Sequence, residues 1–257
     1  MNQTPLNLNN WFVCPKTNPK AEMRLFLFPF AGGGPPTFRE WPSKVPDHIE
    51  TWIVHYPGRG SRHNEAPIKE LATLVEKIHQ TIQPLLDKPF ALFGHSLGGL
   101  VAYELTRTLL QKKLLQPNAL FVSACGAPHL PDPHPPLHTL PDPEFLTAMQ
   151  ELNGTPAEVE NHPELLEILL PTLRADFEIV EGYHYISNDL LLKCPIVAFG
   201  GLDDLRVSRE RMQGWALHTD YSFKAQYFPG DHFFINTARD AVIDTIVSEL
   251  TAAHAKN

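Results

Sequence analysis

A short apolar run, Phe90-Ala91-Leu92-Phe93, leads directly into Gly94-His95-Ser96-Leu97-Gly98-Gly99, and Leu100, Val101, Tyr103, Leu105 and Leu109 then recur at helical spacing. A strand, a Gly-x-Ser-x-Gly turn and a helix in that order make a nucleophile elbow. The serine of such a turn has a strained backbone, so side chains two positions before and after it would strike neighbouring main chain, and glycine at 94 and 98 removes the collision. The result is an exposed hydroxyl beside a helix N-terminus. There the Leu97 amide and the partial positive charge of the helix can stabilise an oxyanion. The five letters alone are weak, because glycine-rich turns carrying a serine also serve as packing turns. The flanking pattern and the partners further along the chain favour the catalytic reading.

The elbow sits in an alternating series. Apolar strands are expected at 23–28, 51–56, 119–123, 195–199 and 223–228 besides the elbow strand. Helices are expected at 68–86, after Gly98, from Ser208, and at 237–253. This order predicts an α/β fold with a mostly parallel central sheet and helices on both faces, and it predicts sites at the carboxyl ends of the strands. With 257 residues and 43% hydrophobic content, residues 1–257 are read as a single domain.

Two partners are needed to activate a serine, and both have candidates at strand ends. The loop Gly200-Gly201-Leu202-Asp203-Asp204-Leu205-Arg206-Val207 holds two acids. Its spacing favours Asp204 as the residue that orients a histidine, with Asp203 left to cap the turn or the next helix. A solvated loop acid is the plain alternative for either. Of thirteen histidines, His232 in Phe228-Pro229-Gly230-Asp231-His232-Phe233-Phe234 alone lies between the last strand and the last helix. His95, inside the elbow, reads as a packed or hydrogen-bonded residue pointing away from the nucleophile. Ser96, His232 and Asp204 together specify acyl transfer through a covalent intermediate. The second oxyanion donor is expected in Pro29-Phe30-Ala31-Gly32-Gly33-Gly34, as the amide of Ala31, with Phe30 the alternative. No Lys-Ser/Thr follows these glycines, so they are not a phosphate-binding P-loop.

Composition removes other functions. A net charge of −8 argues against a nucleic-acid or anionic-membrane surface. No basic-then-apolar leader and no long apolar span is present, so no membrane association and a cytosolic location are expected. Cys14, Cys125 and Cys194 are odd in number and widely spaced, which reads as buried thiols. His129, His134 and His138 cluster, but Pro131, Pro133, Pro135 and Pro136 break the regular backbone a metal geometry would need, and no metal or other cofactor is expected.

Six segments in one order carry a resemblance over nearly the whole chain: Phe28-Pro29-Phe30-Ala31-Gly32-Gly33, Tyr56-Pro57-Gly58-Arg59-Gly60-Ser61-Arg62, the elbow, Leu140-Pro141-Asp142-Pro143-Glu144-Phe145, Leu170-Pro171-Thr172-Leu173-Arg174-Ala175-Asp176, and Gly230-Asp231-His232-Phe233-Phe234. The set resembles the stand-alone (type II) thioesterases of nonribosomal peptide and polyketide synthases, a family that also includes the medium-chain acyl thioesterase of animal fatty acid synthase. The resemblance implies an α/β-hydrolase fold and hydrolysis of acyl groups from the phosphopantetheine arm of carrier proteins, clearing mis-primed or stalled chains. Leu97 stands where many members have methionine, a volume-conserving change. His55 and Gly34 are mild departures near the oxyanion loop.

The same resemblance turns the interruption at about 128–185 into a helical lid inserted in the hydrolase domain. Helices are expected from 143 to 152 and from 163 toward 183, with Pro171 kinking or dividing the second. Leu165, Leu166, Ile168, Leu169, Leu173, Phe177, Val180 and Tyr183 supply its apolar faces, a pattern that ordinary core also shows. Phe30, Met149, Leu152 and Phe177 are the candidates for the acyl-binding channel. Partners are expected to be acyl or peptidyl carrier protein domains, and the chain itself a monomer. Carrier proteins are usually acidic, so docking calls for a local basic patch among Arg59, Arg62, Lys112, Lys113, Arg206, Arg209 and Arg211. A small-molecule carboxylesterase or lipase could use the same three residues, because ester and thioester cleavage share a tetrahedral intermediate.

Overall fold

The central strands are apolar at nearly every position because both of their faces are covered. The computed structural model describes residues 6–8, 10–152, 163–187 and 190–254. Strands β1 (Leu6–Leu8), β2 (Phe12–Cys14), β3 (Met23–Phe28), β4 (Ile49–Val54), β5 (Phe90–His95), β6 (Leu120–Ser123), β7 (Ile196–Gly201) and β8 (Phe223–Phe228) form one sheet in the order β1-β2-β4-β3-β5-β6-β7-β8. Every pairing from β4 to β8 is parallel. The two pairings at the β1 edge are antiparallel. Every residue of β3, β4, β5 and β7 is buried.

Alternate residues of one strand feed two different cores. Phe26, Leu92, Val122 and Ala198 face a layer with Val101, Leu105 and Leu109 of α2 (Leu97–Gln111) and Leu74 and Ile78 of α1 (Leu71–Ile82). Leu27, Phe93, Phe121 and Phe199 face the opposite layer, with Val242, Ile243 and Ile246 of the last helix. The expected parallel sheet between helical layers is the observed one.

Several expectations shift. β1 and β2 were not foreseen; each is three residues, too short for a period to register, and Asn10 between them takes a left-handed φ of 59° that asparagine tolerates. The second expected strand begins and ends two residues early, because Tyr56-Pro57 already belong to a loop. α1 stops at Ile82, since Pro84 lacks the amide to continue it and a 3₁₀ turn follows. The helix opening at Ser208 is short.

Between β6 and β7 lie α3 (Asp142–Glu151) and α4 (Pro163–Glu181). Residues 153–162 of the expected lid, and the side chains of Leu165 and Leu166, lie outside the described residues. Of the kink or division expected at Pro171 the division is absent: α4 runs undivided through it and is anchored immediately afterwards, where Thr172 Oγ1 donates to the Gly58 carbonyl at 2.7 Å. Ile168 is 62% exposed and packs on neither core. Arg174 couples the two helices through the His138 carbonyl and Asp142, and its guanidinium lies over the Phe145 ring. Short helices α5 (Arg209–Gln213) and α6 (Phe234–Thr237) and the long α7 (Arg239–His254) complete the fold.

Candidate active site

Ser96 stands between β5 and α2 with φ 53° and ψ −118°, a strained conformation for a residue with a side chain. Two glycines make it sterically feasible. A Cβ at Gly94 would enter the Gly98 carbonyl, and one at Gly98 would enter the Phe28 carbonyl of the neighbouring strand. The Ser96 amide is pinned to the Ser123 carbonyl at 2.8 Å. His95 turns into the protein: it is fully buried, its Nδ1 is 2.9 Å from Ser123 Oγ, and its ring packs edge-on to Phe30 and Phe234. Burial, and secondarily the nearby His232, hold its pKa well below the usual histidine value, so it is a neutral packing group.

At the ends of β7 and β8 the structure brings one acid and one histidine together. His232 Nδ1 lies 3.0 Å from Asp204 Oδ2. Asp203, one residue away, is exposed. The turn-capping role expected of Asp203 falls to Asp204 as well, whose Oδ1 accepts from the amides of Arg206 and Val207 at 2.8 and 3.1 Å. The helix that follows is capped by Ser208 Oγ. The Asp204 carboxyl is fully buried, which pushes its pKa up, but the His232 hydrogen bond and charge and the two amides outweigh burial and hold it below the usual value.

A depressed folded-state pKa contributes stability that is present above the unfolded value, about 3.9, and is lost as pH falls through the folded one. Asp204→Asn should therefore melt below the wild type at pH 7, with the gap closing below about pH 4. A gap constant from neutral to acid pH in thermal scans would exclude this contribution.

The loop after β3 approaches from the other side. Gly32 needs its freedom here, since its φ is 77° and a Cβ would strike Leu173 of α4. Its amide donates to Asp176 Oδ2 at 2.7 Å and the Gly33 amide to the Phe30 carbonyl at 2.8 Å. The amides of Ala31 and Leu97 have no acceptor among the described residues. Asp176 in turn forms a two-point pair with Arg59, at 2.7 and 2.8 Å, and Arg59 also donates to the Gly33 carbonyl at 3.1 Å. Both side chains are buried, 5% and 3% exposed. His55 donates from Nε2 to the Arg59 carbonyl at 2.9 Å, so this departure from the family pattern supports the same loop. In the sequence Asp176 stands only within a motif, and Arg59 within a motif and among the candidates for a docking patch. Their pairing across 117 positions has no local signal.

Ser96 and His232 open on a common cavity of about 430 Å³. Phe30, Met149, Leu152 and Phe177, the four expected acyl-channel residues, all line it, so α3 and α4 form its roof. Cys14 and Cys194 are buried as expected, whereas Cys125 is part-exposed and lines the cavity, because it follows the last residues of β6 onto the sheet end. Burial still pushes the Cys125 thiol up to about 12. The histidine cluster is dispersed: His129 Nδ1 meets His218 Nε2 at 2.7 Å, His138 Nδ1 meets Glu181 at 2.6 Å, and His134 lines the cavity.

The expected basic docking patch does not assemble. Arg59 and Arg62 are buried, the latter stacked on Trp11 and bonded to the His55 carbonyl and Glu65. Arg206 and Arg211 line the cavity. Lys112, Lys113 and Arg209 remain on the surface. Among the described residues no helix is long and apolar enough to cross a membrane.

Comparison with known proteins places these features in context. A family model described as a thioesterase domain matches residues 23–250. The chain is 41% identical over 243 residues to the gramicidin S biosynthesis protein GrsT of Aneurinibacillus migulanus, covering 95% of this chain and 94% of that one. It is 40% identical over 253 residues to the linear gramicidin dehydrogenase LgrE of Brevibacillus parabrevis, covering 97% and 96%. Among solved structures, the type II thioesterase BorB from the borrelidin biosynthetic cluster superposes with a TM-score of 0.86 at 32% identity, covering 93% of this chain and 97% of that one.

Proposed function

Because this chain belongs to the thioesterase family, we propose that it is a type II editing thioesterase, releasing mis-primed or stalled acyl groups from phosphopantetheinyl carrier proteins of a nonribosomal peptide or polyketide synthase. The observation that carries the reading is end-to-end similarity to GrsT and BorB, joined to a cavity lined by a strained serine, a histidine held by a buried acid, and Ala31, whose amide, like that of Leu97 next to the serine, is unpaired among the described residues. The dehydrogenase name of one relative is not carried over, since no strand-to-helix turn here has the Gly-x-Gly-x-x-Gly sequence that seats a dinucleotide.

In this reading Ser96 Oγ attacks the thioester carbonyl as His232 Nε2 takes its proton, and Asp204 at Nδ1 fixes the tautomer and stabilises the imidazolium. The carbonyl oxygen becomes an oxyanion between the Ala31 and Leu97 amides, at the N-terminus of α2. The carbon–sulfur bond breaks and His232 returns the proton to the departing thiol. Water then attacks the acyl-Ser96 ester, losing its proton to His232, and as the second tetrahedral intermediate collapses His232 returns that proton to Ser96 Oγ, giving the acid and free Ser96. A thiol with a pKa near 8.5 leaves far more readily than an alkoxide, so a site with modest general-acid help suffices for thioesters. The helices α3 and α4 act as the lid, with Phe30, Met149, Leu152 and Phe177 shaping the acyl channel. The expected partner is an acyl or peptidyl carrier domain.

One acyl group presented as a carrier-bound thioester, a free thioester and an oxygen ester tests this directly. The carrier-bound thioester should have the highest kcat/KM. Equal or faster oxygen-ester cleavage would make the protein a small-molecule carboxylesterase, and a preference for free medium-chain thioesters would make it a fatty acyl thioesterase.

A further inference from the structure

The cavity is lined by apolar and by charged side chains. Besides Met149 and Phe177, its lining includes Asp132, Glu181, Arg206 and Arg211. Glu181 is fully engaged, one oxygen accepting from the Leu137 amide and the other from the His138 amide and ring. The two arginines are not. Arg206 reaches Asp132 Oδ2 only at 3.6 Å and Arg211 reaches Oδ1 only at 3.9 Å, well beyond the 2.7–2.9 Å typical of a charge-assisted hydrogen bond. Asp132 Oδ1 is instead taken by the His134 amide at 3.0 Å. Arg211 makes two long contacts of 3.4 Å, to the Arg206 and Leu130 carbonyls, and its buried Nε–H has no partner among the described residues. Two guanidinium groups thus face one carboxylate, with excess positive charge and unused donors.

Their position relative to the nucleophile follows from packing. Gly99, one turn into α2 from Ser96, lies against Cys125, and Gly126 lies against the Arg211 guanidinium. A single layer of main chain therefore separates the elbow helix from Arg211. The phosphate of a phosphopantetheine arm lies a full pantetheine length from the thioester, whereas Arg211 packs close to the elbow helix, so the anion that fits here belongs to the acyl group.

We propose that Arg206 and Arg211 form a specificity subsite for the free carboxylate of a short dicarboxylic acyl group whose thioester carbonyl lies at Ser96. The inference rests on the thioesterase reading of that same site. Asp132 splays the two guanidinium groups apart, and the incoming carboxylate supplies the close acceptor they lack. Arginine suits the task because its planar fork engages both carboxylate oxygens.

The test compares succinyl-pantetheine with butyryl-pantetheine, which has the same four-carbon chain without the carboxylate. The wild type should favour succinyl by about tenfold or more in kcat/KM, and Arg211→Gln or Arg206→Gln should lower that ratio by about tenfold. Arg211→Lys, which keeps the charge but not the fork, should retain part of it. A wild-type ratio near one, or a ratio that survives both glutamine variants, overturns the proposal. Binding is measured separately on Ser96→Ala, by calorimetry with the hydrolysis-resistant succinyl and butyryl amides of pantetheine. Tighter succinyl binding that disappears in Ser96→Ala/Arg211→Gln supports the subsite even if the wild type hydrolyses neither thioester, an outcome that would refute the enzymatic reading alone. Equal binding of the two amides refutes the subsite.

Discussion

Replacing Ser96 with alanine should reduce thioester turnover by about four orders of magnitude or more, with little change in melting temperature. The Cβ that the strained turn must accommodate is kept, and only the oxygen is removed, so the loss falls on chemistry. His232→Ala should cost nearly as much, and the double variant no more than either single one, because the two act as a unit. Trapping the acyl-Ser96 ester by mass spectrometry after rapid mixing gives a direct readout. Appreciable steady-state turnover by Ser96→Ala would remove the covalent mechanism. The strain itself is testable: Ser96→Gly should be more stable than Ser96→Ala by about 1 kcal/mol, since glycine occupies a positive φ without penalty.

The second large effect concerns Arg59 and Asp176. Removing the carboxylate with Asp176→Ala leaves a buried guanidinium unpaired, and breaking a buried pair in this way costs about 3–5 kcal/mol. It also frees the Gly32 amide, which Asp176 holds beside the proposed oxyanion donor Ala31. A misplaced donor of that kind lowers kcat by about 10²-fold. An apolar replacement of both partners, Arg59→Met with Asp176→Leu, should recover much of the stability because no charge is stranded, and should not recover kcat because Gly32 still lacks its acceptor. Recovery of both in urea melts and steady-state assays would make the pair a packing element only. Arg59→Lys should fall short, since one ammonium cannot reproduce the two-point contact and the third bond to Gly33.

These two effects differ in how far the sequence reveals them. Ser96 is legible from ten neighbouring residues, because the turn that exposes it needs glycine at 94 and 98 for reasons local to the main chain. The parallel sheet is legible too, since strands covered on both faces must be continuously apolar. Asp204 stands out over Asp203 only by spacing. What separates them in space is that one carboxyl faces His232 and two amides while the other faces solvent. The three-residue strands β1 and β2 carry no readable period, and the uninterrupted passage of α4 through Pro171 goes with anchors that lie far away in sequence.

The docking patch is the instructive failure. A list of arginines says nothing about direction. Arg59 and Arg62 are drawn inward by acceptors at Asp176, Gly33, His55 and Glu65, and Arg206 and Arg211 by the cavity wall. The sequence by itself determined the elbow, the layered fold and the type of each candidate catalytic group, because those depend on local backbone sterics and on hydrophobic period. Only the tertiary structure decided which charges are paired, which amides stay free and which charges line the cavity, because those depend on how loops and elements pack, up to 117 positions apart for Arg59 and Asp176, where the hydrogen-bonding needs of buried groups fix the partners.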